Sequence, residues 1–188
     1  MNINQDSQPN TQMNLVNFID SAIKHIQRGV VDRKSFFRHP VLATKDAQNI
    51  FQRVVVMREF DFEKKSVVIF TDSKSQKVGQ ILNHPECSLL FWDPRKKLQI
   101  SVQSKSHIEI DNSHYWSKIN DRQQKDYTVN PPPKSEIKAH DDYEFSDHNR
   151  FTVINLTFKS MDVLQLSDQG HVRATHNFEN NTQSWVSP

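Results

Sequence analysis

Residues 53–99, RVVVMREFDFEKKSVVIFTDSKSQKVGQILNHPECSLLFWDPRKKLQ, contain three strand-like runs and one helix-like run. The runs 54–60, 67–71 and 88–92 are rich in β-branched and aromatic side chains, which are typical of strands. Residues 73–83 space their apolar side chains as an amphipathic helix does, and Pro85 marks the end of that helix. The strict strand–helix alternation of a parallel α/β fold is missing, so these short strands predict an antiparallel sheet.

The rest of the chain continues the same pattern. Further strand-like runs are 98–102, 107–110, 151–158, 161–166 and 171–178. Helices are expected at 13–28, with Gly29 as the C-terminal cap, and at 113–126. We therefore predict a mainly β fold, a β-barrel with peripheral helices. Residues 13–188 are expected to form a single domain, and the polar residues 1–12 a disordered tail.

Composition argues against several classes of protein. The net charge is +2, from 24 basic and 22 acidic side chains, which favours neither a nucleic-acid nor a membrane-surface partner. With three glycines and no glycine-rich phosphate loop, a Rossmann-type nucleotide site is not expected. The single cysteine, Cys87, cannot form an internal disulfide, and no Cys/His spacing matches a metal site. Without a long apolar run or a leader-like start, we expect a soluble, cytoplasmic protein.

Residues 71–77, TDSKSQK, carry the strongest signal for a binding site. Asp72 or Ser73 is a natural helix N-cap, which would place Ser75 and Lys77 in the first turn. A cation there opposes the helix dipole unless an anion lies between them. The segment therefore indicates either a phosphate site or an ordinary exposed lysine on a surface helix.

Three further groups of polar residues have both a binding and a surface interpretation. Arg53 and Arg58 bracket an apolar run and, being an odd number of residues apart, would point to opposite faces of a strand. Gln99 offers a donor and an acceptor suited to a heteroaromatic edge. His171 and Arg173 would share one face of a strand, where they could serve an anion or a redox ring, or simply face water.

The order and spacing of these motifs resemble the flavin-binding core of pyridoxamine 5′-phosphate oxidase and its relatives. The matching motifs are Arg53-Val-Val-Val-Met-Arg58, Phe70-Thr71, Ser75-Gln76-Lys77 and FWDPRKKLQ at 91–99. In particular they are similar to an FMN-binding subfamily grouped around cyanobacterial members. The resemblance covers roughly residues 35–188 and is faintest over 111–150. It implies a split β-barrel homodimer with two FMN sites at the subunit interface.

The resemblance also implies which residues hold the cofactor. The implied FMN-binding residues are Arg53, Val54, Val55, Val56, Arg58, Phe70, Thr71, Ser75, Gln76, Lys77, Gln99 and Arg173. Among them, Arg53, Arg58, Ser75 and Lys77 would hold the phosphate and ribityl region, and Arg173 would come from the other subunit. Main-chain groups of residues 53–58 would contact the edge of the flavin ring. His171 would contact the substrate.

Three departures from the oxidase stand out. Gln76 replaces an arginine, Leu164 falls near a flavin-contacting tryptophan, and Gln169 replaces a substrate-binding arginine. The oxidase's Tyr/Arg/Ser grip on the substrate phosphate also has no clean counterpart.

The resemblance thus implies an FMN-dependent oxidoreductase acting on a small-molecule substrate, with no metal and with no catalytic residue assigned. Two alternatives remain open. One is a non-catalytic flavin- or haem-binding or stress-related module on the same barrel. The other is pyridoxamine phosphate oxidase activity itself, which Gln169 counts against.

Overall fold

A computed structural model describes residues 13–188, so the disordered tail predicted for residues 1–12 lies outside the described residues. Most strands join one nine-stranded antiparallel sheet. The elements are α1 (Leu15–Val31), β1 (Val41–Lys45), β2 (Ile50–Val54), β3 (Met57–Asp61), β4 (Ser66–Asp72), α2 (Gln76–Asn83), β5 (Glu86–Asp93), β6 (Leu98–Ile108), α3 (Ser113–Trp116), α4 (Asp121–Lys125), β7 (Val129–Asn130), β8 (Glu144–Phe145), β9 (Phe151–Gln165), β10 (Val172–Asn177) and β11 (Thr182–Val186). A short 3₁₀ helix, Phe36–Arg38, follows α1. The mainly β prediction is confirmed.

The long strand β9 organises the sheet. Its residues 151–157 pair with β4 and its residues 160–165 pair with β10, while β6 runs along its other side. From β6 the sheet continues through β5 and β1 to β2, whereas β3 is attached to β4. The strands β2 and β3 are therefore neighbours in sequence but lie on different branches of the sheet.

The core lies between the inner face of the sheet and α1. Ile19, Ile23 and Ile26 form the buried stripe of α1, at the spacing of one helix face. They share one cluster with inward-pointing strand residues such as Leu89 and Phe91, both fully buried. Within residues 13–188, no helix combines the length and apolarity that crossing a membrane requires.

The predicted capping role of Gly29 is wrong. The helix α1 continues to Val31, and Gly29 lies inside it. A Cβ at position 29 would lie 2.8 Å from Cε of Met57 and 2.9 Å from the carbonyl carbon of Phe37. Glycine is needed here because another chain segment passes too closely for any side chain.

The predicted strand 54–60 is also wrong as a single element. The chain leaves β2 after Val54 and enters β3 at Met57. Between them Val55 is buried, and its N–H donates to the carbonyl of Pro40 at 3.0 Å. Three consecutive valines have strand propensity throughout, so propensity alone does not reveal a change of branch. Arg53 and Arg58 lie on different strands, so the prediction that they point to opposite faces of one strand is wrong.

Other boundaries differ without changing the fold. The pairs of runs 98–102 with 107–110, and 151–158 with 161–166, merge into the continuous strands β6 and β9. The strands β1, β7, β8 and β11 were not predicted, and β2 overlaps a predicted run only at Val54. The helix expected at 113–126 is two short helices, because Asn120 forms a capping box with Gln123 and starts α4 anew.

Candidate functional site

A cleft of about 440 Å³ opens between β2 and the start of α2. Three cations line it: Arg53 on β2, Lys77 in the first turn of α2, and Lys134 from the segment between β7 and β8. Ser75 and Gln76 complete the polar wall. We call this the cationic cleft. It brings together four of the predicted cofactor-binding residues: Arg53, Ser75, Gln76 and Lys77.

Lys77 is held by hydroxyl groups rather than by a carboxylate. Its Nζ donates to Oγ1 of Thr71 at 2.8 Å and to Oγ of Ser75 at 2.5 Å. Burial lowers the pKa of Lys77, the charge of Arg53 lowers it further, and Asp72 opposes the shift. Asp72 itself is paired with Arg150, at 2.9 Å from Oδ2 to Nε. An ammonium in this setting is one that a bound anion would stabilise.

Arg53 is fixed by a buried polar network. Its Nη1 donates to Oγ1 of Thr44, and its Nη2 donates to Oε1 of Gln80 at 3.2 Å. The hydroxyl of Thr44 donates to the same Oε1 at 2.6 Å. Thr44 and Gln80 are 2% and 6% exposed, and burial lowers the pKa of Arg53. Sequence reasoning missed both supporting residues, because each has the sequence character of an ordinary polar residue.

The start of α2 contributes backbone donors. The N-cap is Ser75, not Asp72 or Ser73 as predicted, because Asp72 accepts from the backbone N–H of Lys74 and delays the helix. Ser75 makes no side-chain capping bond; its hydroxyl is used by Lys77. The first N–H groups of α2 thus lack the usual side-chain acceptor, an arrangement that favours an anion.

Lys134 is a functional candidate that the sequence did not reveal. Its Nζ donates to Oε1 of Gln76 at 2.7 Å, across 58 residues of sequence. The segment that carries it is anchored at its far end, where Arg150 forms the ion pair with Asp72 and its carbonyl accepts from Ser73 N at 2.7 Å. Nothing in the sequence around residue 134 indicates this contact.

Arg58 and Phe70 do not line the cationic cleft. The guanidinium of Arg58 is 5.3 Å from the centre of the Phe70 ring, and Phe70 packs edge-on against Phe151 and Tyr115. Nε of Arg58 is buried without a hydrogen-bond partner among residues 13–188. Thr71 joins the cleft through its bond to Lys77.

The three valines lie where β2 ends and the chain turns towards β3. Val54 is exposed, Val55 is buried and Val56 is half-buried. None of their side chains lines the cleft. The predicted contact was through their main-chain groups, and it stays a prediction.

Gln99 and Arg173 line a different cleft, of about 450 Å³, on the outer face of the sheet. Both are in register with Leu164, so they share one face. Arg53 is in register with the fully buried Leu42 and therefore points to the inner face. Nε of Arg173 lies 3.0 and 3.1 Å from the two carboxylate oxygens of Asp162, a pairing that raises the pKa of Arg173. Within one chain, the two sets of predicted residues lie on opposite faces.

His171 is not brought to either cleft. It precedes β10, so the strand predicted to begin at 171 begins at Val172. Its Nδ1 accepts from the backbone N–H of Ser167 at 3.2 Å, and the residue is exposed. The predicted substrate contact of His171 stays a prediction.

The evolutionary relationship is decided by the first half of the chain. Residues 15–109 match the family described as pyridoxamine 5′-phosphate oxidase, FMN-binding domain. The chain belongs to this family. The walls of the cationic cleft formed by β2 and α2 lie inside the matched region, whereas Lys134 and Arg173 lie outside it. The resemblance to the pyridoxamine 5′-phosphate oxidase family that the sequence motifs indicated is confirmed.

A curated relative and two solved structures are similar to the chain. Pyridoxine/pyridoxamine 5′-phosphate oxidase of Chromohalobacter salexigens is 31% identical over 86 residues, which are 44% of this chain and 39% of that protein. The match therefore spans about two-fifths of the relative. A pyridoxamine 5′-phosphate oxidase-related, FMN-binding protein from Nostoc punctiforme superposes with a TM-score of 0.70 at 19% identity, covering 94% of this chain and 100% of that one.

The second structure is PhzG from Burkholderia lata, solved in complex with tetrahydrophenazine-1-carboxylic acid. It superposes with a TM-score of 0.68 at 16% identity, covering 93% of this chain and 90% of that one. Because their sequence identities to this chain are only 19% and 16%, these two structures show the fold and do not show the function. The predicted split-barrel fold class is confirmed.

Proposed function

We propose that the chain binds FMN between two copies of itself and acts as an oxidoreductase on a small-molecule substrate. The cationic cleft is the observation that carries the proposal. Arg53, Lys77 and Lys134 converge there around a helix start, and within residues 13–188 none of them forms an ion pair with a carboxylate. Membership of an FMN-binding family supports FMN as the anion.

The residues of the cleft fit a phosphate group. A phosphate monoester carries close to two negative charges at neutral pH, with three acceptor oxygens. Lys77 and Arg53 would bind these oxygens, together with the first N–H groups of α2. The negative charge of the phosphate would offset the desolvation cost that lowers the pKa of Lys77, and it would relieve the conflict between Lys77 and the helix dipole. Lys134 adds a cation beside Gln76. By the resemblance, the oxidase has an arginine at the position of Gln76, so Lys134 would supply the positive charge that this chain lacks there.

The positions of Gln99 and Arg173 support a homodimer, because both lie on the face of the sheet opposite to Arg53. Because these residues lie on the outer face, the same FMN could meet them and the cationic cleft only if they come from a second copy. The outer face also exposes apolar side chains that a second copy would cover. Val54 and Leu90 are both in register with Val41, and Trp92 is 41% exposed.

When bound, FMN supplies two-electron redox chemistry, and the protein determines its binding, orientation and access. In this proposal Arg53, Lys77 and Lys134 bind the phosphate. Gln99 of a second copy provides a donor and an acceptor for the ring edge. Phe70, one of the implied FMN-binding residues, packs edge-on against Tyr115 and Phe151 and would offer the flavin an apolar contact.

Two experiments test the proposal. Purified protein should show a flavin absorption band, or gain one on titration with FMN; a colourless protein that does not bind added FMN would contradict it. Anaerobic stopped-flow mixing with NAD(P)H and with pyridoxamine phosphate then tests for catalysis. An oxidoreductase with one of these substrates shows substrate-dependent flavin reduction, whereas a flavin carrier shows none. A parallel titration with haem tests the haem-carrier alternative.

A further inference from the structure

A cleft of about 340 Å³ lies at the C-terminal end of α1. It is bounded by α1, the segment after α1 that includes the 3₁₀ helix, and the turn between β5 and β6. We call it the α1 cleft. The residues that matter here are His25, Arg28, Lys34, Phe36, Arg95 and Lys96. The α1 cleft and the cationic cleft share no lining residue.

The α1 cleft has an excess of positive charge. Four lysine and arginine side chains line it against two carboxylates, Asp32 and Asp93. Both carboxylates are already engaged. Asp32 pairs with Arg28 at 3.2 Å, and Oδ1 of Asp93 accepts from the backbone N–H groups of Arg95 and Lys96 at 2.9 and 3.1 Å.

The remaining cations have no acidic partner. Within residues 13–188, Lys34, Arg95 and Lys96 form no ion pair. The cleft therefore carries about two uncompensated positive charges in a concave site.

Lys96 and His25 are held together although both can be cationic. Nζ of Lys96 lies 3.4 Å from Nε2 of His25, so the ammonium donates to a neutral ring. Burial lowers the pKa of His25, Lys96 and Arg28 lower it further, and Asp93 opposes them. Phe37 packs edge-on against the ring at 6.1 Å and adds no charge. An anion placed beside Lys96 would stabilise protonated His25 as a further donor.

One wall of the α1 cleft is aromatic. Phe36 is 40% exposed, and the guanidinium carbon of Arg95 lies 5.3 Å from the centre of its ring. An exposed phenyl ring beside a cation offers contact to the apolar part of a ligand whose charged part binds the lysines.

We propose that the α1 cleft is a second binding site, independent of FMN, for a small phosphomonoester with an apolar or aromatic ester group. The dianion matches the two uncompensated charges, and Phe36 contacts the ester group. The cleft volume is at the lower end of the range for small-molecule sites, which suits a ligand of that size. Nothing in the inference depends on FMN binding elsewhere.

The test is an NMR titration of the His25 ring in the full-length protein at constant ionic strength. The probes are phenyl phosphate and inorganic phosphate. Both should bind saturably and raise the pKa of His25, and phenyl phosphate should bind more tightly. Because each charged contact is worth about tenfold or more in affinity, Lys96→Gln and Arg95→Gln should each weaken phenyl phosphate binding about tenfold.

Lys97→Gln is the matched control. Lys97 adjoins Lys96 but pairs with Asp168 at 3.2 Å and does not line the α1 cleft. This variant removes the same charge and should bind phenyl phosphate as the wild type does. Non-saturating shifts, an unchanged His25 pKa, or equal losses in the Lys96 and Lys97 variants would overturn the proposal. Equal affinity for the two probes, unaltered by Phe36→Leu, would overturn the role of Phe36.

Discussion

Replacing Lys77 by methionine tests the phosphate-binding role of the cationic cleft most closely. Methionine keeps an unbranched stem of similar length and removes the charge. A hydrogen bond to a charged group contributes about 1.5–3 kcal/mol, so losing one contact to the phosphate should weaken FMN binding roughly 10- to 150-fold. Riboflavin lacks the phosphate, and its affinity should be unchanged.

The assay is equilibrium titration of flavin fluorescence with FMN and, separately, with riboflavin. Lys74→Met is the matched control, because Lys74 lies in the same segment, is exposed and does not line the cleft. It should bind both flavins as the wild type does. Equal weakening of FMN and riboflavin in Lys77→Met, or equal weakening of FMN in both variants, would refute the reasoning.

The lowered pKa of Lys77 should make the affinity of the cationic cleft for FMN depend on pH. Phosphate binding favours the protonated ammonium, so the affinity for FMN is constant between the second pKa of the phosphate, about 6, and the pKa of Lys77 in the free protein. It then falls as the pH rises through that pKa, which lies below the 10.5 of an ordinary lysine. Lys77→Arg should remove this decline, because arginine stays charged in that range. An FMN affinity that is flat up to pH 10.5 in the wild type would contradict it.

Three further predictions concern the surroundings of the site. Gln80→Met removes the acceptor that orients Arg53, so FMN should bind about tenfold more weakly, whereas the affinity for riboflavin should not change. Gln48 is exposed, and the control variant Gln48→Met should change neither affinity. Gly29→Ala should lower the free energy of unfolding, measured by urea denaturation, by about 1–3 kcal/mol, because the new Cβ meets Phe37 and Met57. A Cβ at Gly79 would meet no atom within 4 Å, so Gly79→Ala should raise the free energy of unfolding by up to about 1 kcal/mol. Leu90→Glu, on the outer face, should yield a folded monomer by sedimentation with weakened FMN binding; a dimer with normal affinity would place the interface elsewhere.

The fold class could be predicted from the sequence, and so could the part of the cationic cleft formed by Arg53 and the start of α2. The β-branched residues of β4 and β9 and the leucine and phenylalanine residues of β5 supply buried positions of the core, so the composition of these strands and their structure agree. The TDSKSQK segment likewise predicted a cationic helix start, since the dipole conflict of Lys77 is a local property.

What the sequence could not supply depends on long-range contacts. Lys134 reaches Gln76 across 58 residues, and Gln80 reaches Thr44 across 36. The division of the valine run between β2 and β3 depends on which neighbour each strand finds in the sheet. The opposite orientation of Arg53 and Gln99 likewise follows from the strand register, which no single segment encodes.

The central claim is that FMN binds at the cationic cleft between two copies of the chain. Analytical ultracentrifugation of the FMN-titrated protein, followed at the visible flavin band, tests it directly. The account predicts flavin absorbance that sediments with a species of twice the 22.0 kDa chain mass, at one FMN per chain. Flavin that sediments with the single chain, or that stays unbound, would contradict it.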